Sequence, residues 1–305
     1  MRVTNGVMKD NYMRNLSNNL ERIDIFNQQL STGKKFQNPS QNPVGVTNSL
    51  SMKNVLATND QYLENAEEAR SWLSNTEIVL KNQGQILQRV REQVVYASNG
   101  SLSTSDKQAI KEEIAELKDE LINLGNSKIG DRFLFAGQMT TANTVPFEKP
   151  TPPDLEVQYN GDEKNIDREI NAGVSMSINS NGAEVFEKAI DTLTAVEEAI
   201  DGNTGIDIGD VQGIASIQEG IARVEDVLNT NLQERAEIGA KINRLDLTIN
   251  RLGDEQNQAK ELLSKNEDID IAEAITNLKM QESVYRASLS IGARVIQPSL
   301  VDFVK

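Results

Sequence analysis

Four carboxylates stand within seven residues near the end of the chain: Glu267, Asp268, Asp270 and Glu273. A hydrolytic enzyme would need such a pair as general acid and base. Acidic side chains also cap helix N-termini and lie favourably in a first helical turn. Because a periodic apolar segment follows at once, we expect Asp268 or Asp270 to cap a helix, with Glu273 in its first turn, and we expect no catalysis here.

Two other stretches resemble ligand loops only in part. "DGNTGIDIGDVQ" at 201–212 has Asp201, Asn203 and Asp207 at calcium-loop positions, but Ile206 and Gln212 stand where that loop needs Gly and Glu. We interpret it as a helix-helix turn. "STGKKF" at 31–36 lacks the first glycine and the hydroxyl residue of a phosphate loop. We therefore predict no cofactor and no metal site.

Composition narrows the function further. The 305 residues include no Cys and no His, which removes thiolate chemistry, the commonest general base and the commonest transition-metal ligand. The net charge is -15 without a basic patch, so nucleic acid is not an expected partner. No run of about 18 apolar residues occurs, so membrane insertion is not expected either. The N-terminal residues lack the apolar core of a secretory signal peptide. We expect a structural protein and not an enzyme.

The strongest periodic signal lies between residues 217 and 263. A strict three-four spacing there is apolar at 11 of 14 positions, which predicts one long helix with a coiled-coil-like seam. The seam comprises Ile217, Ile221, Val224, Leu228, Asn231, Arg235, Ile238, Ile242, Leu245, Ile249, Leu252, Gln256, Ala259 and Leu263. A helix of this length predicts an elongated rod.

Further helices are predicted at 43–97, at 105–125 and from 183 to about 200. Between 129 and 182 the helical period disappears and prolines cluster. In "DLEVQYNGDEKNIDREI", apolar and polar residues alternate on either side of Asn160-Gly161-Asp162. This pattern predicts a β-hairpin with its turn at those residues, and "GVSMSINSNG" adds another strand. The predicted fold is mainly α, with long antiparallel helices and a small β insertion at 129–182.

Apolar stripes mark both ends of the chain. Burying these two stripes against each other alone would release less free energy than ordering the two terminal segments costs. We therefore expect the stripes to need neighbouring subunits. The predicted interface residues are Tyr12, Leu16, Leu20, Ile23, Phe26, Leu30, Ile271, Ile275, Leu278, Tyr285, Leu289, Ile296, Leu300 and Phe303. The polar stretch "STGKKFQNPSQNP" follows the first stripe, and there Gly33, Pro39 and Pro43 are the predicted hinge residues.

This organisation divides the chain into three predicted parts. The terminal assembly region is 1–42 with 266–305, and its two helices are expected to pair. The helical rod is 43–128 with 183–265, and the β-rich domain is 129–182.

At both ends the chain resembles the flagellin family. "NNLERIDIFNQQLSTGKKFQNPSQNPVGV" at 18–46 is similar to the flagellin N-terminal signature, although Gln41-Asn42 stand where flagellins usually carry acidic residues. The last 40 residues are similar to the flagellin C-terminal helix. Within the family, "IGDRFLFAG" at 129–137 and the ending "QPSLVDFV" resemble proteins of the hook-filament junction.

The resemblance implies an adaptor ring at the hook-filament junction of a bacterial flagellum, and a small filament-forming flagellin is the alternative. Implied partners are other copies in the ring, the hook-side junction protein (hook-associated protein 1), flagellin, and an export chaperone at the C-terminal helix. The implied location is extracellular, reached by the flagellar type III route without a cleaved signal peptide.

Overall fold

The computed structural model describes residues 5–98, 102–141, 143–149, 157–201 and 216–295. Its six α-helices are α1 (Asn5–Thr32), α2 (Pro43–Ala97), α3 (Thr104–Gly125), α4 (Lys188–Asp201), α5 (Ile217–Glu267) and α6 (Ile271–Val295). A π-helical turn, Ala183–Glu187, leads into α4. The mainly α prediction is confirmed.

Three antiparallel strand pairs lie between α3 and α4. They are β1 (Lys128–Ile129) with β2 (Arg132–Phe133), β3 (Phe147–Glu148) with β4 (Gln158–Tyr159), and β5 (Asp167–Asn171) with β6 (Val174–Ser177). The small β insertion and the strand in "GVSMSINSNG" are therefore confirmed.

The predicted hairpin around Asn160-Gly161-Asp162 is wrong. The segment before the turn, β4, pairs with β3, and the segment after it, β5, pairs with β6. The polar groups of the turn bind neighbouring segments: Asn160 N donates to the Pro146 carbonyl at 2.7 Å, and Asp162 Oδ1 accepts from Gln138 N at 2.6 Å. Alternating sequence located the strands correctly but could not identify their partners.

The predicted helix ends and seams agree with the structure. Ser103 and Asp106 form a capping box at the start of α3, and Ile110, Ile114 and Leu121 on its predicted face are buried. On α5, every seam position from 217 to 263 is buried or half-buried. The periodic apolar spacing therefore identified the buried side of each of these helices.

The chain separates into two compact units. The first contains residues 1–58 and 255–305, and the second contains residues 59–254. The first unit contains α1, the loop that follows it, residues 43–58 of α2, residues 255–267 of α5, and α6. The second unit has a continuous apolar core built from α3, α4, the strand pairs and the rest of α2 and α5. In this core the rings of Phe135 and Phe147 both pack against Phe186.

Candidate functional site

The first unit brings the two predicted terminal helices together. Helices α1 and α6 pack against each other, as the sequence predicts. On α1, five of the six predicted residues are half-buried, and Leu20 is 46% exposed. Those five are Tyr12, Leu16, Ile23, Phe26 and Leu30.

On α6 the predicted stripe divides between two faces. Leu278 and Tyr285 are half-buried, whereas Ile271, Ile275 and Leu289 are 60%, 46% and 44% exposed. Among residues 271–293 of this helix, whose burial the structure describes, the buried positions are the small residues Ala274 and Gly292. The predicted residues Ile296, Leu300 and Phe303 lie outside the described residues.

Small residues let α1 and α6 approach closely. The Tyr12 hydroxyl donates to the Ser288 backbone carbonyl at 2.9 Å, and its ring occupies the place that a β-carbon on Gly292 would take. The contact face of α6 therefore follows the spacing 274, 278, 281, 285, 288 and 292, which contains more small and polar residues than the predicted stripe.

Sequence reasoning missed a second exposed apolar row on α6. Met280, Val284 and Ile291 are 53%, 42% and 58% exposed, and they follow one another at helical spacing. They lie on one flank of the face that contacts α1, and Ile271, Ile275 and Leu289 lie on the other. The sequence carries a signal for this row, because Met280, Val284 and Ile291 follow the same helical period as the predicted stripe.

The predicted hinge follows α1 directly. Gly33 has φ +71, and its N–H donates to the Gln29 carbonyl at 2.8 Å, so it forms the expected left-handed cap. Asn42 Oδ1 accepts from Gly45 N at 2.9 Å and caps α2, whose first residue is Pro43. Pro39 is exposed in the turn between them.

The residues after Gly33 pair with the segment that joins α5 to α6. Lys35 N donates to the Glu267 carbonyl at 2.6 Å, and Ile269 N donates to the Gly33 carbonyl at 3.0 Å. Lys35 Nζ donates to the Lys265 carbonyl at 2.8 Å. We call the segments 33–36 and 265–269 the loop clamp, because their backbones bind each other like two short antiparallel strands.

Glu267 is the buried charge of the loop clamp. Its side chain is 5% exposed and forms ion pairs with Lys34 Nζ and, at 2.5 Å, with Lys53 Nζ. Burial raises the pKa of this carboxyl, but hydrogen bonds from Lys34, Lys53 and Ser49 outweigh burial and lower its pKa to about 2. The carboxylate is therefore charged at neutral pH and holds lysines from two segments.

The carboxylate cluster contains the predicted helix cap. Asp270 Oδ1 accepts from the backbone N–H groups of Ala272 at 2.9 Å and Glu273 at 3.1 Å, which caps α6 and confirms the expected cap. Asp268 Oδ2 accepts from Ser264 Oγ at 2.5 Å. The buried role of Glu267 was not foreseen, because its lysine partners are more than 200 residues away in the sequence.

Two further properties bear on function. Within the described residues, no group of three or more Asp or Glu side chains is arranged to hold a metal ion. No helix in the described ranges is long and apolar enough to cross a membrane. Of the calcium-like stretch, residues 202–212 lie outside the described residues.

Comparison with known proteins assigns the chain to a family. Residues 3–140 match the bacterial flagellin N-terminal helical region, and residues 221–304 match the bacterial flagellin C-terminal helical region. The chain belongs to the flagellin family. The two matches contain α1–α3 and nearly all of α5 and α6, whereas the strand pairs β3–β6 and α4 lie between them.

Two curated relatives carry the same name. The chain is 27% identical to the flagellar hook-associated protein 3 of Salmonella typhimurium and 28% identical to that of Escherichia coli, covering 94% of this chain and 95% of each relative. It is also 25% identical to the flagellin of Bacillus subtilis over 97% of both chains. These are full-length similarities within the flagellin family.

Solved structures share the fold. A flagellar hook-associated protein from Vibrio parahaemolyticus superposes with a TM-score of 0.64 at 20% identity, covering 75% of this chain and all of that one. The hook-associated protein 3 of Legionella pneumophila superposes with a TM-score of 0.60 at 16% identity, covering 70% of this chain and 97% of that one. At these identities the likeness describes the fold of the family.

Proposed function

We propose that this chain is a structural adaptor at the hook-filament junction of the bacterial flagellum. It belongs to the flagellin family, and full-length relatives are named flagellar hook-associated protein 3. Its role is to connect a hook-side protein to the filament by helix packing. The Bacillus subtilis flagellin is slightly less similar, and this favours the junction role over a filament role.

The observation that carries this proposal is the imbalance of apolar surface in the first unit. Among its described residues, only Phe36 and Ala274 are buried apolar side chains, whereas it exposes most of the large apolar side chains that the structure leaves accessible. The exposed set is Val7, Met8, Met13, Leu20, Val44, Leu50, Val55, Leu262, Ile271, Ile275, Met280, Val284, Leu289 and Ile291.

Single exposed apolar residues are ordinary, but continuous rows mark interaction surfaces. On α6 the rows flank both sides of the α1 contact, so a pair of α1 and α6 still presents apolar surface in two directions. Neighbouring molecules on both sides would bury it. This is the arrangement that a subunit in a closed ring requires.

The proposed partners follow from this surface and from the family. They are other copies of the chain in a ring, the hook-side junction protein (hook-associated protein 1) and flagellin. Before assembly, an export chaperone would cover the C-terminal helix, which otherwise exposes its apolar rows to water. Export would use the flagellar type III route without a cleaved signal peptide, and the final location would be extracellular.

The proposed division of labour has three parts. Residues 1–42 and 266–305 form the assembly region, residues 43–128 and 183–265 form the helical rod, and residues 129–182 form a β-rich domain that faces outward. The predicted interface residues and the predicted hinge residues Gly33 and Pro39 belong to the first part, and Pro43 is the first residue of the second. The loop clamp lies at the limit between the assembly region and the rod.

Deleting the gene tests the function directly. If the chain is the junction adaptor, the deletion strain should retain hooks and release unassembled flagellin into the medium, and electron microscopy should place the labelled protein at the junction. If it is instead a filament flagellin, the label should lie along the filament, and the deletion should release no such pool of flagellin.

A further inference from the structure

A buried pair of amides interrupts the apolar contact between α2 and α5 in the second unit. Asn231 on α5 is 1% exposed, and Gln83 on α2 is fully buried. Asn231 Nδ2 donates to Gln83 Oε1 at 2.8 Å and to the Leu80 carbonyl at 2.9 Å. Gln83 Nε2 donates to the Val185 carbonyl at 2.7 Å, so the pair also binds the π-helical turn before α4.

The amide pair is kept although it carries a cost. Among the described residues, Asn231 Oδ1 is buried and has no hydrogen-bond partner. A β-carbon at Gly84 would lie 3.0 Å from this oxygen, so the glycine makes room for the amide. Burying an unsatisfied acceptor is unfavourable, and aliphatic side chains at both 83 and 231 would avoid that penalty without leaving either amide unpaired. Stability alone therefore does not account for the amide pair.

The surrounding seam is repetitive, and repetition leaves the alignment of the helices weakly determined. Counting by sevens along α5 gives buried aliphatic residues at 224, 238, 245 and 252, with Asn231 as the polar exception. On α2 the same count gives aliphatic residues at 73, 80, 87 and 94, all buried. A slide of seven residues, about 10 Å along the helix, would replace aliphatic side chains by aliphatic side chains.

The amides distinguish the native alignment from the slid ones. After a slide of seven residues, Gln83 would face Val224 or Ile238, and Asn231 would be buried without Gln83. Other polar contacts between the helices join side chains that are more exposed than the amide pair and contribute less. Arg91 and Glu225 are each 46% exposed, and Arg235 and Glu77 are 29% and 32% exposed. A buried asparagine that selects register at a cost in stability is known in coiled coils.

We propose that Asn231 and Gln83 form a register key, a buried polar pair that fixes the alignment of α5 against α2. Gly84 provides the space for the key, and the Val185 carbonyl anchors it to the segment before α4. This inference concerns the second unit alone and does not depend on the junction function.

Spin labels can measure the alignment. The chain has no Cys, so Ile78→Cys and Leu247→Cys, which are 55% and 72% exposed, provide two unique labelling sites away from the seam. Double electron-electron resonance should give one distance with the key intact. In the Gln83→Leu and Asn231→Leu double variant, a second distance between the labels should appear, because in some molecules the helices have slid by about 10 Å.

A variant with the register key moved to another position tests whether the native alignment can be restored. Val90→Gln with Val224→Asn shifts both members by seven residues while keeping their alignment, and adding both changes to the leucine variant should restore the single distance. Ile238→Ala, which loosens the same seam but keeps the key, is the matched control and should also give the single distance.

Two results would overturn the proposal. One is a single native distance in a helical leucine variant, and the other is the same second distance in Ile238→Ala. If the leucine variant loses its helical circular dichroism signal, the variant with the moved key decides: the single native distance supports the register key, and a mixture or loss of helix overturns it.

Discussion

The Tyr12 hydroxyl donates to the Ser288 backbone carbonyl at 2.9 Å, across 276 residues of chain. This hydrogen bond joins the first helix to the last, and it is possible because Gly292, one turn further along α6, has no side chain to exclude the Tyr12 ring. The pairing of the terminal helices therefore depends on the absence of a side chain as well as on apolar residues.

Substituting Gly292 by Ala should weaken the pairing of α1 and α6. The added methyl group overlaps the Tyr12 ring, so the ring must move and the hydrogen bond to Ser288 is lost. Overpacking of this kind costs about 1 to 3 kcal/mol. Amide hydrogen exchange should accelerate in both helices.

Gly6→Ala on α1 is the matched control. Nothing lies within 4 Å of a β-carbon at Gly6, and alanine is the better helix former by about 1 kcal/mol. This variant should slow exchange in α1. Equal acceleration in both variants would show that the contact of Tyr12 with Gly292 has no special role.

Glu267→Gln should destabilise the loop clamp. The folded pKa of Glu267 is about 2, below its ordinary value of 4.5, so its contribution is fully present above pH 4.5 and is lost as the pH falls towards 2. The shift corresponds to about 3 kcal/mol of unfolding free energy. The wild type should lose this stability in acid, whereas Glu267→Gln should already lack it at pH 7.

Glu261→Gln is the control for the loop clamp. Glu261 is also on α5 and pairs with Lys265 at 2.6 Å, but both side chains are more than 60% exposed. Such pairs contribute little. Urea unfolding at pH 7 and pH 3 should therefore separate the two variants, and equal behaviour would mean that the buried ion pairs contribute nothing.

Glu68→Gln should loosen the attachment of two strand pairs to α2. Glu68 accepts from Arg132 Nη1 on β2 at 3.1 Å and from Arg168 Nε on β5 at 3.2 Å. The hydrogen bond from Arg168 is the largest cause that lowers the pKa of the Glu68 carboxyl. Since the side chain is 43% exposed, the expected loss is about 1 kcal/mol.

Trp72 reports on this attachment. It is the only tryptophan of the chain, is 5% exposed, and lines the same cavity of about 320 Å³ as Glu68, Arg132 and Arg168. Acrylamide should quench its fluorescence more strongly in Glu68→Gln than in the wild type. Exposed Glu67 provides the control, and quenching that rises equally in Glu67→Gln would contradict the specific role of Glu68.

Whether the sequence predicts a feature of this molecule depends on how far apart in the chain the interacting residues lie. The seam of α5, the cap at Asp270 and the left-handed Gly33 are encoded within a few neighbouring residues, and all three are confirmed. The turn at Gly161 was also a local signal, but strand pairing is not local, so the hairpin prediction was wrong. The loop clamp left no signal, because one glutamate and two lysines become a site only after folding.

The terminal stripes were predicted in part, for a related reason. A helix that contacts one partner has one apolar row, and the prediction accordingly assigned one row to each terminal helix. Helix α6 instead contacts α1 through Ala274, Gly292 and other small or polar residues, and carries apolar residues on both flanks. Periodicity identifies the apolar rows, but it does not say which of them the same chain covers.

Ile291→Asp should separate folding from assembly. Ile291 is 58% exposed in the single chain, so the substitution should change the unfolding free energy of the monomer by less than about 0.5 kcal/mol. If a neighbouring subunit covers this residue, the buried charge would block assembly. Cells producing the variant should therefore release flagellin and fail to swim.

Ser290→Asp introduces the same charge one residue earlier, on the polar side of α6, and should support normal swimming. Normal filaments in Ile291→Asp cells would exclude this flank of α6 from the subunit contacts, because no packed interface accepts an unpaired carboxylate in place of isoleucine without loss.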